Sequence, residues 1–118
     1  MATDQGGQQG GAGEAVVVLV TVPDLETGRT IGRGVVEARL AACCNIVPGV
    51  ESIYAWEGKV QTDSELLLML KSRASLVAEL TSAVVGMHPY ATPEVIAVPV
   101  MQGSAPYLQW VLDSTKEG

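Results

Sequence analysis

The chain of 118 residues has few of the residues that build common catalytic, metal and nucleic-acid sites. It has one histidine, and no spacing pairs that histidine with a serine or cysteine nucleophile, so we expect no enzyme activity. Its two cysteines are adjacent, which supports neither a zinc ribbon nor a thioredoxin-like motif, since both need C-x-x-C spacing. Seven basic residues against thirteen acidic ones give a net charge of −6, which argues against nucleic-acid binding.

Long apolar runs are also absent, although hydrophobic residues make up 47% of the chain. The longest runs, AVVVLV at 15–20 and LLLML at 66–70, are far shorter than the about 20 residues of a membrane span. The mean hydropathy of +0.28 is therefore better explained by a large subunit interface than by a bilayer. We expect a cytoplasmic protein without membrane contact, or a chloroplast protein if the source is a plant or an alga.

The first fifteen residues, MATDQGGQQGGAGEA, contain almost no apolar side chains. Such a segment cannot bury enough surface to offset the entropy lost on ordering, so we predict a disordered Gly/Gln-rich tail over 1–15. It lacks the basic start and apolar stretch of a secretory signal. The sequence thus predicts one folded domain over 16–118.

The remaining residues predict the element order β-α-β-β-α-β-α. Four segments have the apolar or β-branched content of strands: 15–22, 41–57, 60–71 and 93–101. Three have helical spacing or caps: 25–40, 75–87 and a short segment after Ser104. Two right-handed crossovers around a hairpin predict a ferredoxin-like α+β fold, in which helices cover one face of an antiparallel four-stranded sheet.

The central hairpin is unusually long, because strands typically have about five or six residues. Pro48-Gly49 predicts a bulge or an edge in its first strand, and Glu57-Gly58-Lys59 predicts the tight turn at its tip. The tip must project beyond the core and leave unpaired strand edges, which proteins seldom expose. We therefore expect a closed oligomer in which neighbouring subunits cover these edges.

Two packing details follow from the helical segments. Gly28 and Gly32 are four residues apart and share a helix face, which would let the first helix lie close against the sheet. In the last helix, Tyr107, Trp110 and Val111 are predicted to face inward.

The adjacent Cys43 and Cys44 allow two interpretations. Neighbouring side chains of a strand point to opposite faces, so the two thiols cannot jointly bind one metal ion. In the first interpretation, one cysteine packs into the core and the other into a second buried surface. In the second, a thiolate and His88 bind a soft or borderline divalent ion such as copper, and Glu65, water or a neighbouring subunit completes the ligand set.

Three stretches of the chain resemble the CutA family of divalent-cation tolerance proteins. They are AACCNIVPG at 41–49, SIYAWEGKVQ at 52–61 and HPYATPEVIA at 88–97, and the resemblance extends from about residue 16 to the end. It implies a ferredoxin-like homotrimer similar in architecture to the PII signalling proteins, which bind small effectors between subunits. It also implies a link to copper tolerance and divalent-metal binding.

The resemblance assigns roles to individual residues. It places the family cysteine at Cys43 and the family histidine at His88, and with Glu65 these are the metal ligands that we predict. Cys44 occupies a position that is often valine, and Ala55 replaces an aromatic residue of many members. The residues predicted to line a ligand or subunit cleft are Tyr54, Trp56, Glu57, Lys59, Tyr90 and Glu94.

Two functions follow from the resemblance. The first is a trimeric copper or divalent-metal binding protein of metal tolerance and homeostasis, with no obligatory cofactor. The second is a PII-like module that binds an effector or a protein partner at subunit clefts and has only incidental metal affinity.

Overall fold

The computed structural model describes residues 14–118, so all but the last two residues of the predicted tail lie outside the described part. The described chain has the predicted α+β architecture. Its strands are β1 (Ala15–Val22), β2 (Cys43–Trp56), β3 (Lys59–Arg73) and β4 (Val95–Pro99). Its helices are α1 (Leu25–Glu37), α2 (Val77–Met87) and α3 (Ala105–Asp113), and a 3₁₀ turn (Ala74–Leu76) precedes α2.

The four strands form one antiparallel sheet in the order β2-β3-β1-β4. This order confirms the predicted ferredoxin-like topology, in which the first and third strands are central. β2 and β4 are its two edge strands, and no other strand of the described part pairs with their outer sides. Within residues 14–118, the sheet therefore ends in two edges that no described strand covers.

The face of the sheet packed against α1 and α2, here called the covered face, holds the main core. Alternate residues of β1 and β3 point into it because side chains alternate between the faces of a strand. Its fully buried residues are Val18, Val20, Val22, Ile31, Val35, Leu68, Leu70, Leu76, Leu80 and Val84. Burying a side chain of this size typically contributes about 1.5–3 kcal/mol, so these contacts dominate the stability of the domain.

Helix α1 lies close to the sheet, as predicted from its glycines. Asp24 caps its first turn, and its carboxylate accepts a hydrogen bond of 2.8 Å from the Thr27 amide. A Cβ atom on Gly32 would lie 2.9 Å from Cys44 Sγ, and one on Gly28 would lie 3.2 Å from a Leu68 methyl group. The sequence therefore uses glycine where the helix and the sheet come into contact.

Helix α3 corrects two predictions. It packs on the face opposite α1 and α2, here called the open face, since Tyr107 contacts Cys43 while Gly32 of α1 contacts the neighbouring Cys44. The predicted arrangement of all helices on one face is therefore wrong. Tyr107 and Trp110 are 45% and 44% exposed, so the prediction that they face inward is also wrong. The residues of α3 that are buried are Leu108, Val111 and Leu112.

The hairpin of β2 and β3 forms a long arm. The strand register shifts between Val47 and Val50, and Gly49 has φ +81°, which confirms the bulge predicted at Pro48-Gly49. Glu57 and Gly58 have φ +52° and +78°, the left-handed pair of a two-residue hairpin turn. The arm helps to stretch the described chain to 52 × 26 × 22 Å. Apolar side chains exposed on the arm and near β4 are Ile53, Trp56, Val60, Ile96, Val98 and Met101.

Candidate functional site

A cleft of about 560 Å³ lies on the open face, between the arm and the loop that follows α2. Strands β1, β2 and β3 supply one wall, and the loop from Tyr90 to Glu94 supplies the other. Its lining residues are Thr21, Ser52, Ile53, Tyr54, Trp56, Asp63, Glu65, Tyr90, Ala91, Thr92 and Glu94. Of these, Asp63, Glu65 and Glu94 are acidic, and none of the described lining residues is basic.

Strand register brings the two strand carboxylates into the cleft. Asp63 and Glu65 are two residues apart on β3 and therefore point to the same face of the sheet. Asp63 pairs with Ser52 of β2, and Glu65 pairs with Val50 just beyond the bulge. The bulge thus sets which β2 side chains face the carboxylates.

Each strand carboxylate accepts a hydrogen bond from a tyrosine. The Tyr54 hydroxyl donates to Asp63 Oδ2 across the hairpin, and the Tyr90 hydroxyl donates to Glu65 Oε2 at 2.9 Å. Asp63 Oδ1 and Glu65 Oε1 have no hydrogen bond to another described side chain or backbone group. Glu65 is only 8% exposed, and its second oxygen has no described hydrogen-bond partner.

The two tyrosines report a negative potential in the cleft. Burial raises the pKa of Tyr90 to about 12, with further contributions from its hydrogen bond to Glu65 and from the charges of Glu65 and Asp63. The hydrogen bond to Asp63 is the main cause that raises the pKa of Tyr54, and the charges of Asp63 and Glu65 add to it. The part of each pKa shift that comes from Asp63 and Glu65 reflects the negative charge of the cleft, whereas burial opposes ionisation of either sign.

His88 holds Tyr90 in place and is 8% exposed. Its Nε2–H donates to the Thr21 carbonyl at 2.8 Å, and its Nδ1 accepts the Tyr90 amide hydrogen at 3.1 Å. These partners require the neutral ring with the proton on Nε2, because a carbonyl can only accept and an amide can only donate. The ring also packs against Tyr90 at a centroid distance of 4.7 Å. A metal could bind Nδ1 only if it displaced the Tyr90 amide.

Cys43 lies at the other end of the open face. Its Sγ is 3.7 Å from Lys71 Nζ and 3.7 Å from the Tyr107 hydroxyl. Cys43 pairs with Lys71, which is six residues from Glu65 along β3, a distance of about 20 Å. The structure therefore brings Glu65 and His88 to one end of the face and places Cys43 at the other. Within residues 14–118, no three His, Cys, Asp or Glu side chains are arranged to hold one metal ion.

Cys44 has the surroundings of a core residue. Its side chain points to the covered face and contacts the position of Gly32. Burial raises the pKa of its thiol to about 11, and the neighbouring Cys43 contributes further. This environment fits the interpretation of Cys44 as a small apolar strand residue.

The cleft contains most, but not all, of the side chains predicted for it. Tyr54, Trp56, Tyr90 and Glu94 line it together with Glu65, whereas Glu57 and Lys59 lie at the hairpin turn and are not among the lining residues. The sequence analysis did not include Asp63 among the predicted cleft residues. The available signal was its spacing of two residues from Glu65, which places both carboxylates on one face.

Comparisons with protein families and with individual proteins all match this chain to CutA proteins. The family model described as CutA1 divalent ion tolerance protein matches residues 16–114. The chain is 53% identical over 102 residues to Protein CutA, chloroplastic, from Arabidopsis thaliana, covering 86% of this chain and 56% of that protein. It is 48% identical over 99 residues to the divalent-cation tolerance protein CutA from Thermus thermophilus, covering 84% and 96%. The chain thus spans just over half of the plant relative and nearly all of the bacterial one.

Solved structures agree with the fold. The crystal structure of CutA1 from Oryza sativa superposes with a TM-score of 0.87 at 49% identity, covering 92% of this chain and 99% of that one. The Thermus thermophilus protein superposes with a TM-score of 0.85 at 47% identity, covering 86% and 99%. Among residues 14–118, no helix is both long and apolar enough to cross a bilayer.

Proposed function

Because this chain belongs to the CutA1 divalent ion tolerance family, we propose that it is a homotrimer that binds copper or another divalent cation in metal tolerance and homeostasis. The observation that carries this proposal is the carboxylate pair of Asp63 and Glu65, each with one oxygen left for a ligand in the cleft. The family description names tolerance and no reaction, which supports binding rather than catalysis.

The donor chemistry of the cleft suits a divalent cation. Carboxylate oxygens bind hard and borderline ions, and a cation held by one or two carboxylates keeps several waters in its shell. Asp63 and Glu65 are the proposed ligands within one chain. The net charge of −6 attracts cations to the protein as a whole.

Cys43 offers a soft ligand for copper, but only together with donors from outside its own chain. It lies about 20 Å from Glu65, and its described neighbours are the Lys71 ammonium and the Tyr107 hydroxyl. A copper site that includes Cys43 therefore needs a neighbouring subunit. For His88 we propose a supporting role, since both of its ring nitrogens are hydrogen-bonded.

The trimer is supported by the surfaces that one chain leaves uncovered. Neither sheet edge is paired with another described strand, and Ile53 and Val60 on the arm are 67% and 77% exposed. Near the opposite edge, Met101 is 78% exposed. Closed threefold symmetry would cover these edges and apolar side chains together.

Copper and Mn²⁺ titrations of the full chain, with the mass measured by sedimentation, test this function. We expect a mass of three chains and saturable binding that Glu65→Gln weakens by about tenfold or more, since a carboxylate charge is lost. Glu37→Gln, at the exposed end of α1, is the matched control and should bind as the parent does. Cys43→Ser separates the two sites, because it should lower copper binding and leave Mn²⁺ binding unchanged.

Equal affinity in the parent and in Glu65→Gln would overturn the proposed ligand assignment. A mass of one chain at micromolar concentration would overturn the trimer.

A second candidate function, a PII-like effector-binding module, is favoured by the size of the cleft. A volume of about 560 Å³ lies within the range of about 300–1,000 Å³ that is typical of small-molecule sites. In this function, metal binding is incidental. A metabolite that co-purifies with the protein and is lost in a cleft variant would favour it.

The proposed location is the cytoplasm, or the chloroplast if the source is a plant or an alga. The chloroplastic names of the Arabidopsis and rice relatives support the second possibility for such a source.

A further inference from the structure

We propose that the cleft binds an organic cation, a primary ammonium or guanidinium group on a small molecule, in competition with the divalent cation. The competition rests on the proposed function, because the same carboxylates serve both ligands. The organic-cation site itself rests on the charge, the aromatic walls and the size of the cleft.

All the charged side chains that line the cleft are negative. Asp63, Glu65 and Glu94 line it, and the described lining residues include no lysine, arginine or histidine to neutralise them. Tyr54 and Tyr90 donate to two of the carboxylates but carry no positive charge themselves. The cleft therefore holds negative charge with no cation among its described lining residues. Asp63 and Glu94 are exposed, whereas Glu65 carries its charge in a buried position, where a bound cation would stabilise it most.

Glu65 has a carboxylate oxygen without a hydrogen-bond donor among the described residues. Its side chain is more than nine-tenths buried, yet its Oε1 accepts no hydrogen bond from another described residue. Because Tyr90 binds the other oxygen, Oε1 is the carboxylate atom of Glu65 that is left without a described partner, and the side chain lines the cleft. Buried carboxylate oxygens normally accept hydrogen bonds, so a donor from a ligand fits this position.

The walls of the cleft are aromatic. Tyr54, Trp56 and Tyr90 present rings alongside the carboxylates. An ammonium or guanidinium group gains from the face of such a ring, and a methylene chain attached to it packs on the same surface. A hydrated metal ion makes no use of these walls. The combination of rings and carboxylates therefore favours a cation that also has apolar atoms.

The size and polarity of the cleft agree with this ligand. A volume of about 560 Å³ far exceeds one water-sized site of about 30 Å³ and suits a small organic molecule. An ammonium group has three N–H donors and a guanidinium has five, and neither has an acceptor. The free oxygens of Asp63 and Glu65, with the hydroxyls of Thr21, Ser52 and Thr92, supply acceptors around the space.

Calorimetric titration of the full chain in its native oligomeric state tests the inference. The probes are 1,4-diaminobutane, its guanidinium analogue agmatine, and 1,4-butanediol, which has the same chain length without charge. We expect saturable binding of the first two at one site per chain and no binding of the diol. Added Mn²⁺ should raise the apparent Kd of the diamine.

Three variants separate the contributions. Glu65→Gln keeps the size of the side chain and removes its charge, so it should weaken diamine binding about tenfold or more. Trp56→Leu removes one aromatic wall and should weaken binding by about two- to fivefold. Glu37→Gln changes the net charge equally outside the cleft and should leave binding unchanged. Circular dichroism and sedimentation confirm that each variant keeps the parent fold and mass.

The outcomes distinguish this inference from the proposed function. Mn²⁺ binding without diamine or agmatine binding at millimolar concentration overturns the inference and leaves the proposed function standing. Diamine binding without any metal binding upholds the organic-cation site and overturns the competition together with the proposed function. Equal diamine affinity in the parent, Glu65→Gln and Glu37→Gln indicates nonspecific charge attraction and overturns the site.

Discussion

The two faces of the sheet differ in packing and polarity, although the residues on them alternate along the same strands. Cys43 and Cys44 are adjacent, yet Cys44 packs against α1 on the covered face while Cys43 lies beside Lys71 and Tyr107 on the open face. The covered face is filled by fully buried aliphatic side chains. The open face holds the cleft, the tyrosine–carboxylate hydrogen bonds and partly exposed apolar residues such as Leu67 and Met69.

This difference separates the stability of the chain from its proposed ligands. A residue on the covered face acts through packing, because its neighbours are apolar and close-packed. A residue on the open face acts through hydrogen bonds and charge, and through any subunit that covers it. The same type of substitution should therefore have different effects on the two faces, and neighbouring residues provide matched pairs.

The largest expected difference is between Leu68 and Leu67, which are adjacent on β3 and point to opposite faces. Leu68 is fully buried, so Leu68→Ala should lower the free energy of unfolding by about 2–5 kcal/mol. Leu67 is only partly buried within one chain, so Leu67→Ala should cost the protomer less and weaken subunit assembly instead. Chemical denaturation at fixed protein concentration, together with sedimentation, measures both effects.

The comparison fails if the two variants lose equal stability and keep the same mass. That result would mean that the open face is packed as tightly as the covered one and that Leu67 has no part in assembly.

A smaller effect is expected where α1 meets the sheet. Gly32→Ala places a methyl group 2.9 Å from Cys44 Sγ, and such overpacking typically costs about 1–3 kcal/mol. The gain in helix propensity offsets about 1 kcal/mol of this cost. Gly86→Ala is the control, since nothing lies within 4 Å of the added methyl group, and it should be neutral or stabilising.

Cys44→Ala should partly rescue Gly32→Ala, because it removes the sulfur at 2.9 Å from the new methyl group and keeps the Cβ atom at 3.2 Å. A double-mutant cycle, measured by denaturation, gives the coupling between the two sites. Additive losses would show that Cys44 does not limit the approach of α1.

Features of the fold that depend on residues close together in the sequence could be predicted, whereas features that depend on distant residues could not. β1 over 15–22, the bulge at Pro48-Gly49 and the turn at Glu57-Gly58 are set by local residue preferences, and the structure confirms them. The buried side of α3 differs from the predicted one. Tyr107 and Trp110 are large and partly apolar, which suggests burial, but Leu108 and Leu112 of the same helix are the residues that are buried. Local hydrophobicity does not say which face of a sheet a helix will cover.

The cleft could be predicted only in part for the same reason. Tyr54, Trp56, Tyr90 and Glu94 came from the family resemblance, and the structure brings them together. The hydrogen bond between Tyr90 and Glu65 joins residues 25 positions apart and depends on where the loop after α2 lies against β3. No local pattern contains the position of that loop, so this hydrogen bond could not be predicted from the sequence.

The smallest effect is expected from Tyr90→Phe and appears as a change with pH. All three tyrosines of the chain lie on the open face, and the pKa of each is raised. Burial, and then the hydrogen bond to Glu65, raises the pKa of Tyr90 from 10.0 to about 12. A raised pKa means that the folded state favours the neutral phenol. Its contribution is therefore complete below pH 10 and is lost as pH rises through about 12.

The parent should thus be more stable than Tyr90→Phe at pH 9, and this advantage should fade between pH 10 and 12. Urea denaturation across this range measures it. The Cys44 thiol on the covered face, whose pKa is raised to about 11, titrates in the same window, so both proteins should carry Cys44→Ala. Tyr54→Phe and Tyr107→Phe in the same background identify the contributions of the other two phenols. An advantage that stays constant to pH 12 would show that neither burial nor the Glu65 carboxylate raises the pKa of Tyr90, and the electrostatic distinction between the faces would lose its main support.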